Sequence, residues 1–110
     1  MFKAYSKPDL VYKFEKSPEL EIELRFPTSE TEVQFEKFLA QDPILLEAEV
    51  YQIALVAVRT NLKDEKDNPL FEEKSSFGEK ILKIYSMPSE MIFEIHKALC
   101  EFYPDWKLTE

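Results

Sequence analysis

The period of hydrophobic and polar positions changes along this chain, and each change marks an element. Between 9 and 26 the period is two. Leu10, Tyr12 and Phe14 alternate with Val11, Lys13 and Glu15, and Leu20, Ile22, Leu24 and Phe26 alternate with Glu21, Glu23 and Arg25. Alternation of this kind predicts two half-buried antiparallel strands, with Lys16, Ser17 and Pro18 as their loop. Setting Phe14 opposite Leu20, Tyr12 opposite Ile22 and Leu10 opposite Leu24 also pairs Lys13 with Glu21 and Asp9 with Arg25. Opposite charges facing each other favour that register. Phe2 and Ala4 alternate with Lys3 and Tyr5, a weaker signal for a further edge strand. A lone hairpin is marginal and needs a helix against its apolar face.

After Pro27 the period becomes helical. Ser29-Glu30-Thr31-Glu32 reads as a capping box opening a helix over 29–40, with Val33, Phe35, Phe38 and Leu39 as its apolar set. Asp42 and Pro43 then suit the cap and first position of a central helix over 43–60. That stretch, continued to Leu62, reads PILLEAEVYQIALVAVRTNL. On a helical wheel Glu49, Gln52, Arg59 and Lys63 form one narrow polar stripe, with Val56 inside it. Most of the remaining circumference is apolar, so the helix must be surrounded by other elements. It is too short and too often interrupted to span a bilayer, which takes roughly 20 apolar residues.

The stretch 61–75 is an acidic loop. Its run Lys63-Asp64-Glu65-Lys66-Asp67-Asn68 is not a calcium loop, because a lysine stands at a ligand position and the glycine and closing glutamate are missing. Leu70 and Phe71 are placed to return to the core. Ser76 and Glu79 form a second capping box for a helix over 76–86, and Pro88-Ser89-Glu90 opens a last helix over 88–103. Pro104 ends it, leaving a tail with Trp106 and Leu108. The expected fold is therefore α+β: one domain over 1–110, an antiparallel hairpin packed on about four helices, the central one largely buried.

Composition narrows the function classes. The chain has 110 residues, enough for a single core, and only one glycine, which argues against glycine-rich phosphate loops. A net charge of −8 disfavours nucleic acid and anionic membranes as partners. The lone cysteine, Cys100, excludes an internal disulfide and fits a reducing compartment, and the start of the chain lacks the apolar core of a secretion signal. An intracellular protein is the expectation. His96 is the only histidine and stands one helical turn before Cys100. A Cys–His pair without a third group or oxyanion donors makes a poor catalyst, and one His with one Cys makes no zinc site. No catalytic residue, cofactor or metal is therefore expected. Phe35, Phe93, Trp106 and Val56 are the apolar residues expected at the surface, and so the residues of a partner-binding face.

The order of elements carries one resemblance. A strand pair, then Arg25-Phe26-Pro27-Thr28 leading into a capped helix, then an apolar helix ending LVAVRTNL, then SFGEKILKIYSMPSEMIFEIHKAL with its Tyr85-Ser86-Met87-Pro88 step, resembles the tail assembly chaperones of long-tailed bacteriophages. The resemblance is one of pattern, over roughly 10–102. It implies a non-enzymatic protein of the host cell cytoplasm that binds the tape-measure protein, keeps it soluble and aids assembly of tail-tube proteins. Apolar residues at the surface would face that client or another copy in a homo-oligomer. Two other classes compete: an acidic inhibitor that mimics DNA and acts on a host protein, and a structural neck or tail-completion protein.

Overall fold

A computed structural model of the chain describes residues 9–108. The hairpin forms in the expected register. Strand β1 (Leu10–Lys13) lies antiparallel to β2 (Glu21–Leu24), with Leu10 opposite Leu24, Tyr12 opposite Ile22 and Lys13 opposite Glu21. Phe14 N–H donates to the Leu20 carbonyl at 3.0 Å. Ile22 and Leu24 are fully buried, and Leu10 and Tyr12 are half-buried. Asp9 does not pair with Arg25. Its carboxylate accepts the Phe26 N–H at 2.8 Å, while Arg25 reaches Glu73 at 2.9 Å. The further strand read at Phe2 and Ala4 lies outside the described residues.

Helix α1 (Ser29–Leu39) starts from a capping box one residue earlier than expected. Thr28 and Thr31 exchange the bonds: Thr31 N–H donates to the Thr28 hydroxyl at 3.3 Å, and Thr28 N–H to that of Thr31 at 2.7 Å. Asp42 does not cap the next helix. It sits in the left-handed region, φ 57°, which an aspartate tolerates, and closes the turn after α1 through its N–H to the Leu39 carbonyl. Helix α2 (Leu45–Val56) is capped from inside instead, by Glu47 accepting the Ile44 N–H at 2.9 Å.

The central helix does not reach 60. It stops at Val56, and Ala57–Thr60 forms a strand, β3, antiparallel to β2, giving a three-stranded sheet in the order β1-β2-β3. Three causes act together. Val58 and Thr60 are β-branched and favour a pleated surface. The free edge of β2 carries backbone groups that need partners. As a strand, the segment also turns Arg59 outward, where its Nε meets Glu23 Oε1 at 2.8 Å, and buries Val58 and Thr60 on the other side. Thr60 faces Ile22 and Arg59 faces Glu23, but Ala57 faces Leu24, so Val58 is the extra residue of a β-bulge.

Helix α3 (Phe77–Tyr85) is capped by Ser76, whose hydroxyl accepts the Glu79 N–H at 3.2 Å, as the sequence indicates. Helix α4 (Ser89–Phe102) follows Pro88, and Pro104–Trp106 makes a 3₁₀ turn that folds back. The acidic loop is held rather than loose. The Asp64 carboxylate accepts the N–H groups of Lys66 and Asn68 at 2.9 and 3.0 Å, and Phe71 returns to the core. Those bonds hold the Asp64 carboxyl below the usual carboxylate range. The core has α2 at its centre, against α1, α3 and α4. Val50, Ile53 and Ala54 of α2 meet Ile84, Ile92, Ile95 and Leu99 of the later helices and Ile22 and Leu24 of the sheet. The α+β class, the hairpin and the four helices thus stand, with a third strand added.

Candidate functional site: a buried polar relay and an open apolar groove

The polar stripe of α2 faces inward. Glu49 and Gln52 lie one turn apart on the side of α2 that meets α4, and both are buried. The α4 residues opposite them are His96 and Cys100, one turn apart in turn. The side chains form a relay. Gln52 donates from Nε2 to the Trp106 carbonyl at 3.1 Å, which fixes its amide so that Oε1 faces His96 Nε2 at 2.6 Å. A carbonyl oxygen only accepts, so Nε2 carries the imidazole hydrogen. Nδ1 is then left with a lone pair, 3.3 Å from Glu49 Oε2. A proton between the two satisfies both, and with a neutral imidazole it is carried on Glu49 Oε2. Burial works in the same direction, raising the Glu49 carboxyl above its ordinary value and lowering the His96 imidazole to about 4. No N–H or O–H among the described residues reaches Glu49 Oε1, which is buried.

Cys100 completes the cluster without forming a catalytic pair. Its sulfur is 3.7 Å from both ring nitrogens of His96 and 3.7 Å from the Trp106 carbonyl. A sulfur equidistant from both nitrogens at that range lies over the ring face, since in the ring plane it would collide with the carbon between them. Both nitrogens already face other groups, and burial pushes the Cys100 thiol up. The arrangement holds the thiol neutral and off the line of proton transfer. What it offers chemically is one proton shared between Glu49 and His96, linked through Gln52 to the tail. Among the described residues no set of three or more His, Cys, Asp or Glu side chains is placed to hold a metal ion, and no helix is long and apolar enough to cross a membrane.

Three of the four residues expected at the surface are inside. Val56 is 3 % exposed because the stripe it belongs to faces α4 and the sheet. Phe35 is 5 % and Trp106 6 % exposed because they cover one another, ring centroids 5.7 Å apart, where the tail folds back between α1 and α4. Only Phe93 is exposed, at 49 %, on the outer side of α4. The structure brings Phe35 and Trp106 together and places Val56 and Phe93 apart from them.

The exposed apolar surface lies elsewhere. Leu82 on α3 is 71 % exposed and Ile44, before α2, 65 %; Leu45 and Tyr85 are exposed as well. Leu82 stands at the rim of an open groove of about 740 Å³ between the 61–75 loop and the α3–α4 junction. Leu62, Leu70, Met87 and Met91 form its apolar floor, and Lys66 and Lys83 stand on its sides. Leu82 was not singled out from the sequence, because on the wheel it sits beside the apolar face of its helix. Its signal was position: Leu82 falls between Ile81 and Ile84, which do pack inward.

At the level of class, the described residues form an α+β domain with a three-stranded antiparallel sheet and four α-helices. No protein-family model, no curated protein and no solved structure matches the chain.

Proposed function

We propose that this protein is a non-enzymatic assembly chaperone of a long-tailed bacteriophage, acting in the host cytoplasm, which binds the tape-measure protein and aids assembly of the tail tube around it. The observation that supports the reading best is the groove beside Leu82. Its floor combines leucines with Met87 and Met91, and flexible, polarizable methionines suit a surface that must accept an imperfectly matched apolar client. An extended or helical apolar segment is the kind of client such a groove takes, and its sides carry both signs of charge, Lys66 and Lys83 beside Asp64 and Glu65, with Lys83 paired to Asp64 at 3.7 Å. The sheet's outer face argues against the DNA-mimic alternative. There Glu21 and Glu23 alternate with Lys13 and Arg59 instead of forming a row of acids.

Co-expression with the tape-measure protein of the same genome tests the reading. A recovered complex and a more soluble client are expected, and Leu82→Glu is expected to remove both while leaving the fold intact. Failure of the wild-type protein to form a complex or to improve client solubility would end the chaperone reading. A complex unaffected by Leu82→Glu would move the client site away from the groove.

A further inference from the structure

The tail that carries Trp106 is held by polar groups that lead, bond by bond, to a single proton. The Trp106 carbonyl accepts from Gln52 Nε2, Gln52 Oε1 accepts from His96 Nε2, and His96 Nδ1 faces Glu49 Oε2. On the outer side of the same turn, the Tyr103 hydroxyl donates to Glu32 Oε1 at 3.0 Å, and Trp106 itself packs on Phe35. The turn is therefore clasped twice, once at the surface and once by the relay. Only the relay contains a site that needs a proton to be satisfied.

We infer that Glu49, His96 and Gln52 form a proton-controlled latch for the C-terminal turn: it holds Trp106 in place while one proton lies between Glu49 and His96, and loosens when Glu49 loses it. With that proton, every polar atom of the relay except Glu49 Oε1 meets a partner of the right kind. Without it, a carboxylate faces the lone pair of Nδ1 at a distance where the two repel. The only other way out of that contact is for the imidazole to move its hydrogen from Nε2 to Nδ1. Nε2 would then present a lone pair to Gln52 Oε1, and the repulsion would pass along the relay. Flipping the Gln52 amide to relieve it would take the donor away from the Trp106 carbonyl. Ionisation of Glu49 thus leaves the relay with one repulsive contact, which is relieved by giving up the Gln52 bond to the Trp106 carbonyl or by admitting water beside the tail.

The other titratable groups do not supply the missing proton. Cys100 lies over the ring face and stays a thiol, pushed up by burial first and by Glu49 second. Lys107 acts on Cys100 from the tail. Glu32 and Tyr103 stand at the outer clasp, where the hydrogen bond to Glu32 raises the phenol and keeps it protonated. The sheet residues packed on α2 from the far side, Ile22 and Leu24, carry no charge. Release of the turn would bring Phe35 and Trp106 to the surface together.

The chain's single tryptophan reports on the latch directly. Trp106 emission and its quenching by iodide are followed from about pH 5 to about pH 9, with far-ultraviolet circular dichroism to show that the helices persist. As pH rises, emission is expected to shift to the red and quenching to increase while helicity holds. Glu49→Gln is expected to abolish both changes, because its amide donates to Nδ1 at every pH. Gln52→Leu is expected to leave Trp106 exposed throughout, because it severs the relay at the tail. Should Glu49→Gln not fold, the wild-type profile alone decides, since a Trp106 environment that does not change across that range overturns the latch. So does a change that survives unaltered in Glu49→Gln.

Discussion

The relay between α2 and α4 and the groove beside Leu82 invert the usual distribution of side chains in opposite ways. In the first, Glu49, Gln52 and His96 are polar and buried; in the second, Leu82 is apolar and 71 % exposed. The buried polar groups, Glu49 Oε1 apart, find their partners inside the chain, at 2.6 to 3.3 Å. The exposed leucine finds none there. Burying an amide or imidazole without a partner costs more than the bond itself contributes, so the relay must be closed in the free protein. Leaving a leucine in water costs only its forgone transfer energy, so the groove can remain open until something fills it. The relay is thus a feature of the fold, and the groove is a feature of what the fold meets.

Breaking the core on which both regions stand should have the largest effect. Ile53 is fully buried at the centre of α2, and Ile53→Ala is expected to cost about 2–5 kcal/mol through lost burial and the cavity left behind. Val56→Asp should come close to it. A carboxylate at the buried Val56 position would be taken out of water, while the nearby Lys80 and Arg25 already bond the Ala57 carbonyl and Glu73, and a loss of about 3 kcal/mol is expected. Denaturant melts measure both, and a loss within the range of ordinary surface changes for Val56→Asp would mean that the stripe of α2 is not interior.

A pH series separates the two titrating members of the relay. Burial lowers the His96 imidazole from 6.5 to about 4, so the unfolded chain takes up a proton there more readily than the folded one. The associated stability is complete above pH 6.5 and falls as pH drops toward about 4, by about 3 kcal/mol in all. Glu49 acts in the opposite sense. Its raised value adds stability that is complete below 4.5 and is lost as pH rises through the folded value. The two overlap in the wild-type protein. Glu49→Gln removes one of them, so its melts should show the acid-side loss alone. Phe93→Asp, at a side chain 49 % exposed, should cost about 1 kcal/mol, and smallest of all should be Leu82→Glu, within about 0.5 kcal/mol of wild type because its side chain is 71 % exposed. A larger loss would show that the groove face is covered within the domain.

The same contrast explains what the sequence allowed to be read. Strict alternation gave the hairpin and its register, because a shift of one residue would expose Ile22 and Leu24 together. The Ser76 cap was readable for a similarly local reason. The end of α2 was not. Ala57–Thr60 is apolar enough to continue a buried helix, and only the free edge of β2, a distant element, makes it a strand. The identity of the buried face of α2 was lost for the same kind of reason. Glu49 and Gln52 look like a solvent stripe until His96, 44 residues on from Gln52, is set against them. His96 and Cys100 could be placed on one helix turn, but the acid and amide that complete the cluster come from another helix. Phe35 and Trp106 were expected outside because nothing local to either shows that they cover each other.

The protonation of His96 tests the inward-facing stripe most directly. A pH titration of the imidazole by nitrogen-edited magnetic resonance reports its tautomer and its pKa in one experiment. The relay predicts the hydrogen on Nε2 and an imidazole that stays neutral down to about pH 4. A ring that titrates near 6.5, the ordinary value, with the hydrogen exchanging between both nitrogens, would place His96 in solvent and contradict a closed relay between α2 and α4.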